Sequence, residues 1–249
     1  MSTIVSSDYS PTNPSTLQYP WVFMDAGDTF IYGYPTFYQA LRDCCMKQGL
    51  SISIVETEKV VKDFLATHPP VHLIDQESFT RFFHELYRDV LSALHYPGDL
   101  EKAVVALWEE WETGHRFRLF DDALSALRRL RNRGFRMGVI SNWDQTFHSV
   151  LKQLGVTDFF DFTVASVQVG LSKPDPQIFH YALEQTGAQA ACSWYLGDQI
   201  EADIQPAAAL GFKTIYVDYY SKGGANGFAH YTVPSMSVAA EIICTTENR

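Results

Sequence analysis

The sequence lacks any run of apolar residues long enough to cross a bilayer, so we expect no membrane span. It also has few basic residues: 19 lysines and arginines stand against 29 aspartates and glutamates, a formal net charge of −10. A general nucleic-acid binder needs many basic side chains facing phosphates, so this balance argues against nucleic acid as a partner. The composition, 46% hydrophobic and 19% charged, is ordinary for a soluble globular protein.

Cysteine is scarce and has no metal-ligand spacing: the four are Cys44, Cys45, Cys192 and Cys244. The adjacent pair is poorly placed to form a disulfide with itself. This usage predicts a reducing compartment, and we expect a cytoplasmic protein. The stretch before Trp21 lacks the basic start and apolar block of a secretory signal, so we expect residues 1–20 to form a flexible leader.

Five short β-prone runs are mostly apolar with little alternation, as in strands that are buried on both faces. The runs are 21–24, 136–140, 162–166, 193–196 and 213–217. Helical patterns that stop at Gly155 and Gly187 separate the later runs. The sequence therefore predicts an α/β fold, a doubly wound, Rossmann-like parallel sheet with strand order 3-2-1-4-5.

Roughly a hundred residues separate the first two runs, more than a single strand-to-helix connection uses. They carry helical patterns and no convincing strand, and the best of these is an unbroken apolar stripe at positions 79, 82, 83, 86, 87, 90, 91 and 94. We infer a helical cap inserted at residues 36–114. The core domain then consists of residues 21–35 and 115–249, with hinges near 33–35 and 115–120.

Polar residues whose side chains can act in catalysis or binding follow the predicted strands. They are Asp25 and Thr29 after the first, Ser141 and Asn142 after the second, Lys173 after the third, and Asp198 with Asp203 after the fourth. Ligands of open parallel sheets bind beyond the carboxyl ends of the strands, near the point where the winding reverses. Any one of these residues alone is better explained as a turn, cap or surface residue. Together, and in this order, they favour a site.

If the winding reverses beside the first strand, Asp25 lies between Ser141 and Asp198. Two neighbouring carboxylates repel each other unless a cation lies between them, and Mg²⁺ prefers such hard oxygen ligands. Lys173 and the Ser141 hydroxyl would then stabilise the charge of a transferred group, and Lys173 would keep Asp25 ionised as a nucleophile.

These residues resemble the four motifs of the haloacid dehalogenase superfamily, capped subfamily I, over nearly the whole chain. In chain order the matches are Asp25 with Thr29, Ser141, Lys173, and Gly197 and Asp198 with Asp203. Each motif is weak alone, whereas four in register on predicted strand ends are specific.

The resemblance implies a hydrolase in which Asp25 forms an acyl-phosphate intermediate with Ser141 and Lys173 as catalytic partners. It implies that Thr29 and Asn142 help to bind the substrate, a small phosphorylated metabolite. Specificity would come from the cap, which closes over the site. The sequence indicates neither the substrate itself, nor the oligomeric state, nor whether the tail at residues 221–249 is ordered throughout. Within that tail, Gly223, Gly224 and Gly227 predict a mobile loop.

The resemblance also implies Mg²⁺ as the cofactor. Its expected ligands are Asp25, the backbone carbonyl of Gly27 and Asp198. Asp203 also belongs to the metal site, where it is expected to support the ligands through contacts around them.

One position departs from the family pattern. Family phosphatases carry a second aspartate two residues after the nucleophile, which protonates the leaving oxygen and later activates water, but this sequence has Gly27 there. The backbone can still bind the metal, whereas the acid–base role, typically worth about 10²–10⁴-fold in rate, is lost. Asp28 follows directly, yet adjacent side chains on an extended chain point apart, and we expect Asp28 to hydrogen-bond the turn.

Three alternatives stay open. Dehalogenase-like C–halogen hydrolases also lack the second aspartate and use no metal, although Asp198 and Asp203 favour the metal-dependent phosphatase. A C–P hydrolase would need a cap lysine that forms a Schiff base, and nothing singles out one of Lys47, Lys59, Lys62 and Lys102. The third alternative is a catalytically feeble binding module, which Gly27 motivates.

Overall fold

The computed structural model describes residues 20–70, 73–112, 117–224 and 227–247. The expected leader therefore lies outside the described residues, except for Pro20. None of the described helices combines the length and apolar character that a membrane span requires. All four cysteines are unbridged.

The strands are β1 (Trp21–Met24), β2 (Ile31–Gly33), β3 (Phe117–Leu119), β4 (Arg136–Ser141), β5 (Phe162–Ala165), β6 (Trp194–Gly197), β7 (Lys213–Val217) and β8 (Tyr231–Val233). In the described part of the chain, six of them form one sheet in the order β5-β4-β1-β6-β7-β8, and every neighbouring pair is parallel. The five predicted strands are β1, β4, β5, β6 and β7. Their arrangement confirms the predicted 3-2-1-4-5 order.

The helices are α1 (Phe37–Lys47), α2 (Ile54–Thr67), α3 (Gln76–Ala93), α4 (Leu100–Glu112), α5 (Ala123–Asn132), α6 (Phe147–Gln153), α7 (Ser166–Val169), α8 (Pro176–Thr186), α9 (Gln205–Ala209) and α10 (Met236–Thr246). One sheet face packs against α5, α6 and α10, and the other against α8 and α9. Within β1, Val22 and Met24 join the first face, while Trp21 and Phe23 join the second. Because both faces are buried, the strands are apolar without alternation.

Helices α1 to α4 lie between β2 and β3 in sequence and share a core of their own. The apolar stripe of α3 contributes Leu86, Tyr87, Val90 and Leu91 to that core. Three of these helices begin at side-chain caps, since Thr36, Ser53 and Asp75 accept hydrogen bonds from backbone N–H groups of the first turn. These helices occupy the segment predicted to be the cap, and the domain boundaries at 36 and 114 stay a prediction.

Strands β2 and β3 form a separate antiparallel pair, in which Ile31 lies opposite Leu119 and Gly33 opposite Phe117. The chain leaves the core through β2 and returns through β3, at the two predicted hinges, although residues 115 and 116 are outside the described residues. Sequence patterns missed this pair because a three-residue strand has too few positions to show a period.

The C-terminal segment forms β8 and α10, an outcome that the sequence left undecided. Strand β8 was missed because it is short and because Tyr231 and Thr232 are exposed. Ser235 caps α10, which buries an apolar face against the sheet. The mobile loop expected around Gly223, Gly224 and Gly227 lies partly outside the described residues, and its mobility stays a prediction.

Candidate active site

The carboxyl ends of three adjacent strands meet at one edge of the sheet. Strand β1 pairs with β4 on one side and with β6 on the other. Asp25 follows β1, Ser141 ends β4, and Asp198 follows β6. The Asp25 N–H donates to the carbonyl of Leu196 at 2.9 Å, which ties β1 to β6 at this edge. The winding reverses at β1 as expected, so residues distant in sequence lie side by side.

Asp25 is a buried carboxylate with two strong donors on one oxygen. Its Oδ1 accepts from Ser141 Oγ at 2.9 Å and from Lys173 Nζ at 2.6 Å. Both contacts bring positive charge or a polar hydrogen to the carboxylate that is the candidate nucleophile.

Asn142 fixes the loop that carries Lys173. Its side-chain amide donates to the Lys173 carbonyl at 2.8 Å and its Oδ1 accepts from the Lys173 N–H at 2.8 Å. This reciprocal pair joins the end of β4 to the loop between α7 and α8 that carries Lys173. Substrate binding by Asn142 stays a prediction.

The Lys173 ammonium lies between two carboxylates, 2.6 Å from Asp25 and 2.6 Å from Asp203. Burial lowers the pKa of Lys173, but the carboxylates of Asp203 and Asp25 outweigh burial, and the net pKa is raised. Lys173 therefore stays positive inside the protein and contributes a fixed charge beside the nucleophile.

Three carboxylates form a compact oxygen cluster, since Asp25, Asp198 and Asp203 each offer an oxygen within 4.8 Å of the others. Asp198 Oδ1 is buried and has no hydrogen-bond partner within the described ranges. Burial, followed by the charges of Asp203 and Asp25, raises the pKa of Asp198 well above its ordinary value. A buried acceptor without a donor, among like charges, is the environment that a divalent cation stabilises. The donor set fits Mg²⁺.

Asp203 differs from the other two because its oxygens already have partners. Oδ1 accepts from Lys173 Nζ and from the Tyr195 hydroxyl at 3.1 Å, and Oδ2 accepts from the Gln199 N–H at 3.1 Å. Burial raises its pKa to about 6, against the lowering effect of Lys173. A Cβ at Gly197 would lie 2.6 Å from Asp203 Oδ2, so only glycine leaves room for this carboxylate. These contacts suit a residue that supports the site better than one that coordinates a metal.

Gly27 lies in the turn that follows the nucleophile, where it forms an isolated bridge with Ile31. A Cβ at this position would meet Trp143 Cζ3 at 3.8 Å, an ordinary contact distance. The turn therefore has space for a larger residue, and the absence of an aspartate here does not follow from packing around the Cβ position.

Asp28 has a positive φ of 50°, and its N–H closes the turn by donating to the Ile31 carbonyl at 2.7 Å. The turn bond comes from the backbone of Asp28, whereas its exposed side chain accepts from the Tyr220 hydroxyl at 3.4 Å. Thr29 is buried in the same turn, and its hydroxyl has no hydrogen-bond partner among the residues described. Its predicted contact with substrate stays a prediction.

Residues 53–217 match the family described as haloacid dehalogenase-like hydrolases. The chain belongs to this family. The match begins downstream of Asp25 and includes Ser141, Lys173 and Asp198. Solved structures that share the fold include both a phosphatase and a dehalogenase.

Individual relatives agree with this assignment. Haloacid dehalogenase-like hydrolase domain-containing protein 3 from Bos taurus is 29% identical over 140 residues, 54% of this chain and 56% of that protein. Pyrimidine 5'-nucleotidase YjjG from Escherichia coli is 26% identical over 235 residues, 92% of this chain and 99% of that protein. The structure of YfnB from Bacillus subtilis, bound to magnesium, has a TM-score of 0.73 at 19% identity and covers 91% of this chain and 99% of that one. The chain spans about half the length of the Bos taurus, Mus musculus and Homo sapiens forms of haloacid dehalogenase-like hydrolase domain-containing protein 3.

Sequence reasoning missed a part of this haloacid dehalogenase-like site that comes from the segment after β7. Lys222 Nζ lies 3.0 Å from Asp198 Oδ2, and Tyr220 reaches Asp28. One signal was available, because Asp218 follows a strand end as the other site carboxylates do. From the sequence, this segment, with Gly223, Gly224 and Gly227, is instead interpreted as a mobile loop, and none of its residues is placed in the site.

The predicted cap of this haloacid dehalogenase-like hydrolase contacts the loop that follows Ser141. Trp111 Nε1 donates to Asp144 Oδ2 at 3.2 Å, and Gln76 Oε1 accepts from the Gln145 N–H at 3.2 Å. The Trp111 ring also stacks near Trp143, with 6.3 Å between centroids. These contacts assign Trp111 to the junction between cap and core.

Proposed function

We propose that this haloacid dehalogenase-like hydrolase is a Mg²⁺-dependent phosphatase of a small phosphorylated metabolite, with Asp25 as the nucleophile. One observation carries the proposal: Asp25 accepts from Ser141 at 2.9 Å and from Lys173 at 2.6 Å, within the cluster that contains the unpartnered oxygen of Asp198. A carboxylate nucleophile beside oxygen ligands for a divalent cation is the arrangement that attack on a phosphate ester needs.

In the proposed reaction, a carboxylate oxygen of Asp25 attacks phosphorus while the bond from phosphorus to the alcohol oxygen breaks. This step gives an acyl phosphate on Asp25 and releases the alcohol. Water then attacks phosphorus, releases inorganic phosphate and restores the carboxylate. The Ser141 hydroxyl and the Lys173 ammonium stabilise the negative charge on the transferred group in both steps.

Asp25, Asp198 and the backbone carbonyl of Gly27 are the residues that would hold Mg²⁺. When bound, the ion adds charge stabilisation of the phosphoryl group. Asp203 supports the site by holding Lys173 and by engaging Tyr195 and the Gln199 N–H.

The absence of an acid at residue 27 determines which leaving groups the enzyme handles well. An alkoxide needs a proton as it departs, and here solvent has to supply it. A nitrophenolate departs without one. We therefore expect faster turnover of aryl phosphates than of alkyl phosphates.

The substrate class draws support from a relative whose match covers most of both chains. That relative, YjjG, is named a pyrimidine 5'-nucleotidase, which is a phosphomonoesterase. A small phosphorylated metabolite is therefore the proposed substrate, and the unbridged cysteines suit the proposed cytoplasmic location.

The test is hydrolysis of p-nitrophenyl phosphate by the purified chain, with Mg²⁺ and with EDTA. We expect release of phosphate in Mg²⁺, none above buffer in EDTA, and none from Asp25→Asn in either condition. Absence of phosphate release from both the wild type and Gly27→Asp, with Mg²⁺ bound, would overturn the proposal.

A second candidate is a C–halogen hydrolase, which Gly27 favours because that branch also lacks the second aspartate. Halide release from a 2-haloacid in EDTA would support it. A C–P hydrolase has less support, since each of the cap lysines named above is exposed and three of them pair with carboxylates. A binding module that lacks useful activity would bind Mg²⁺ and turn over neither substrate.

A further inference from the structure

Asp198 has two oxygens in different situations. Oδ2 accepts from Lys222 Nζ at 3.0 Å, whereas Oδ1 is buried without a partner in the described chain. The Asp198 side chain is 3% exposed, and that of Lys222 is 44% exposed. Lys222 thus covers the carboxylate from the solvent side and supplies its positive charge.

The main chain of Lys222 is held in place by the end of β7. Asp218 accepts from the N–H groups of Lys222 and Gly223, both at 2.8 Å. Ser221, between Tyr220 and Lys222, has a φ of 54°, a conformation that non-glycine residues adopt at a cost. The ammonium itself lies 5.5 Å from the Tyr220 ring centroid. The backbone is therefore fixed while the long side chain keeps a path to solvent.

The charges around the cluster do not balance. Three carboxylates, Asp25, Asp198 and Asp203, lie near two ammonium groups, Lys173 and Lys222. With every group ionised, one negative charge is left over. A divalent cation bound at Asp198 would add two positive charges beside the Lys222 ammonium.

We propose that Lys222 is an internal cation that competes with the divalent ion for Asp198, and that metal binding releases its ammonium to solvent. The inference rests on the metal site of the proposed function. A carboxylate shared by an ammonium and a divalent ion brings the two cations close together. By Coulomb's law, their repulsion exceeds what one hydrogen bond gains by orienting Asp198.

The test compares wild type with Lys222→Gln and Lys222→Arg by calorimetric titration of the full chain with MgCl₂ and MnCl₂. Lys222→Gln removes the competing charge, so its dissociation constant for either metal falls by about tenfold, while that of Lys222→Arg stays near the wild-type value. Lys59→Gln is the matched control: it removes one lysine charge from an exposed helix of the cap and leaves metal affinity unchanged. Equal or weaker metal binding by Lys222→Gln would overturn the proposal.

Thermal unfolding gives a second readout that a purely structural lysine would not produce. In EDTA, Lys222→Gln has a lower Tm than wild type because Asp198 loses its counter-ion, and at saturating Mg²⁺ the two have equal Tm values. In an Asp198→Asn background, Lys222→Gln changes neither the Tm in EDTA nor the Tm at saturating Mg²⁺. A Tm loss that persists at saturating Mg²⁺ contradicts the competition.

The outcomes separate this inference from the proposed function. Tighter metal binding by Lys222→Gln, together with no phosphatase activity, supports the competition and overturns the phosphatase. Failure of both wild type and Lys222→Gln to bind metal overturns both. Phosphatase activity with unchanged metal affinity in Lys222→Gln overturns the competition alone.

Discussion

Lys173 Nζ and Asp203 Oδ1 lie 2.6 Å apart with no more than 3% of either side chain exposed. The same ammonium is equally close to Asp25, so a single cation serves two buried carboxylates. A buried charge that loses its partner is strongly destabilising, so this relationship makes the catalytic arrangement and the stability of the core depend on one residue.

The first prediction concerns Lys173→Met. It leaves two buried carboxylates unpaired, and we expect the free energy of unfolding in EDTA to fall by about 3–5 kcal/mol. Lys213→Met is the control, because it breaks a partly exposed pair with Glu247 and costs about 1 kcal/mol or less. Urea unfolding measures both values, and equal losses would contradict the prediction.

The second prediction concerns Gly27→Asp. The position accepts a Cβ at 3.8 Å from Trp143, and an aspartate there restores an acid near the leaving oxygen. We expect kcat for an alkyl phosphate to rise by about 10²–10⁴-fold, with a smaller gain for p-nitrophenyl phosphate. Gly27→Asn has nearly the same shape without the acid, and a comparable gain from it would show that proton donation is not the cause.

The third prediction is the pH dependence of Asp122→Asn. Asp122 accepts from the Tyr219 hydroxyl at 2.7 Å and from the Ser237 N–H at 2.6 Å. Burial raises its pKa, but these hydrogen bonds outweigh burial, and the net pKa is lowered. A carboxylate with a lowered pKa contributes stability above its unfolded pKa and loses it as pH falls through the folded pKa.

We therefore expect Asp122→Asn to lose about 1–2 kcal/mol at pH 7, with a difference from wild type that shrinks below about pH 4. Urea unfolding at both pH values measures the change. The neighbouring Asp121 is exposed, and Asp121→Asn should behave like wild type throughout. A loss from Asp122→Asn that is constant with pH would rule out the carboxylate as its source.

The fourth prediction concerns Gly197→Ala. The new Cβ would lie 2.6 Å from Asp203 Oδ2, so Asp203 has to move away from Lys173 and the Gln199 N–H. We expect a loss of about 1–3 kcal/mol in urea unfolding, together with weaker Mg²⁺ binding. Gly27→Ala adds the same methyl group where contacts are ordinary, and it should leave both quantities within experimental error.

The positions of Asp25, Ser141 and Asp198 could be predicted from the sequence because parallel strands place their carboxyl ends on one edge. The order of strands followed from the assumption that the winding reverses at β1. Lys173 was predicted because it follows the third strand, but its reciprocal pairing with Asn142 was not visible. That pairing depends on the path of a loop, which local sequence does not determine.

Lys222 and the β2–β3 pair show where sequence reasoning stops. Lys222 reaches Asp198 because Asp218 binds two consecutive backbone N–H groups and Ser221 adopts a left-handed conformation. Neither feature has a sequence period. Strands β2 and β3 pair across the whole insertion, so their register is set by tertiary contacts and not by the residues of either strand alone.

The β2–β3 pair gives the protein a modular connection. Both passages between core and insertion run side by side and are hydrogen-bonded to each other, and Ile31 is bonded in turn to the turn that follows Asp25. Because both connections meet in one pair of strands, a different set of helices between them would leave the strands that hold the reacting groups unchanged. A tilt of these helices would be transmitted by Ile31 to the turn after Asp25, through the two backbone hydrogen bonds that Ile31 makes with Ala26 and Asp28.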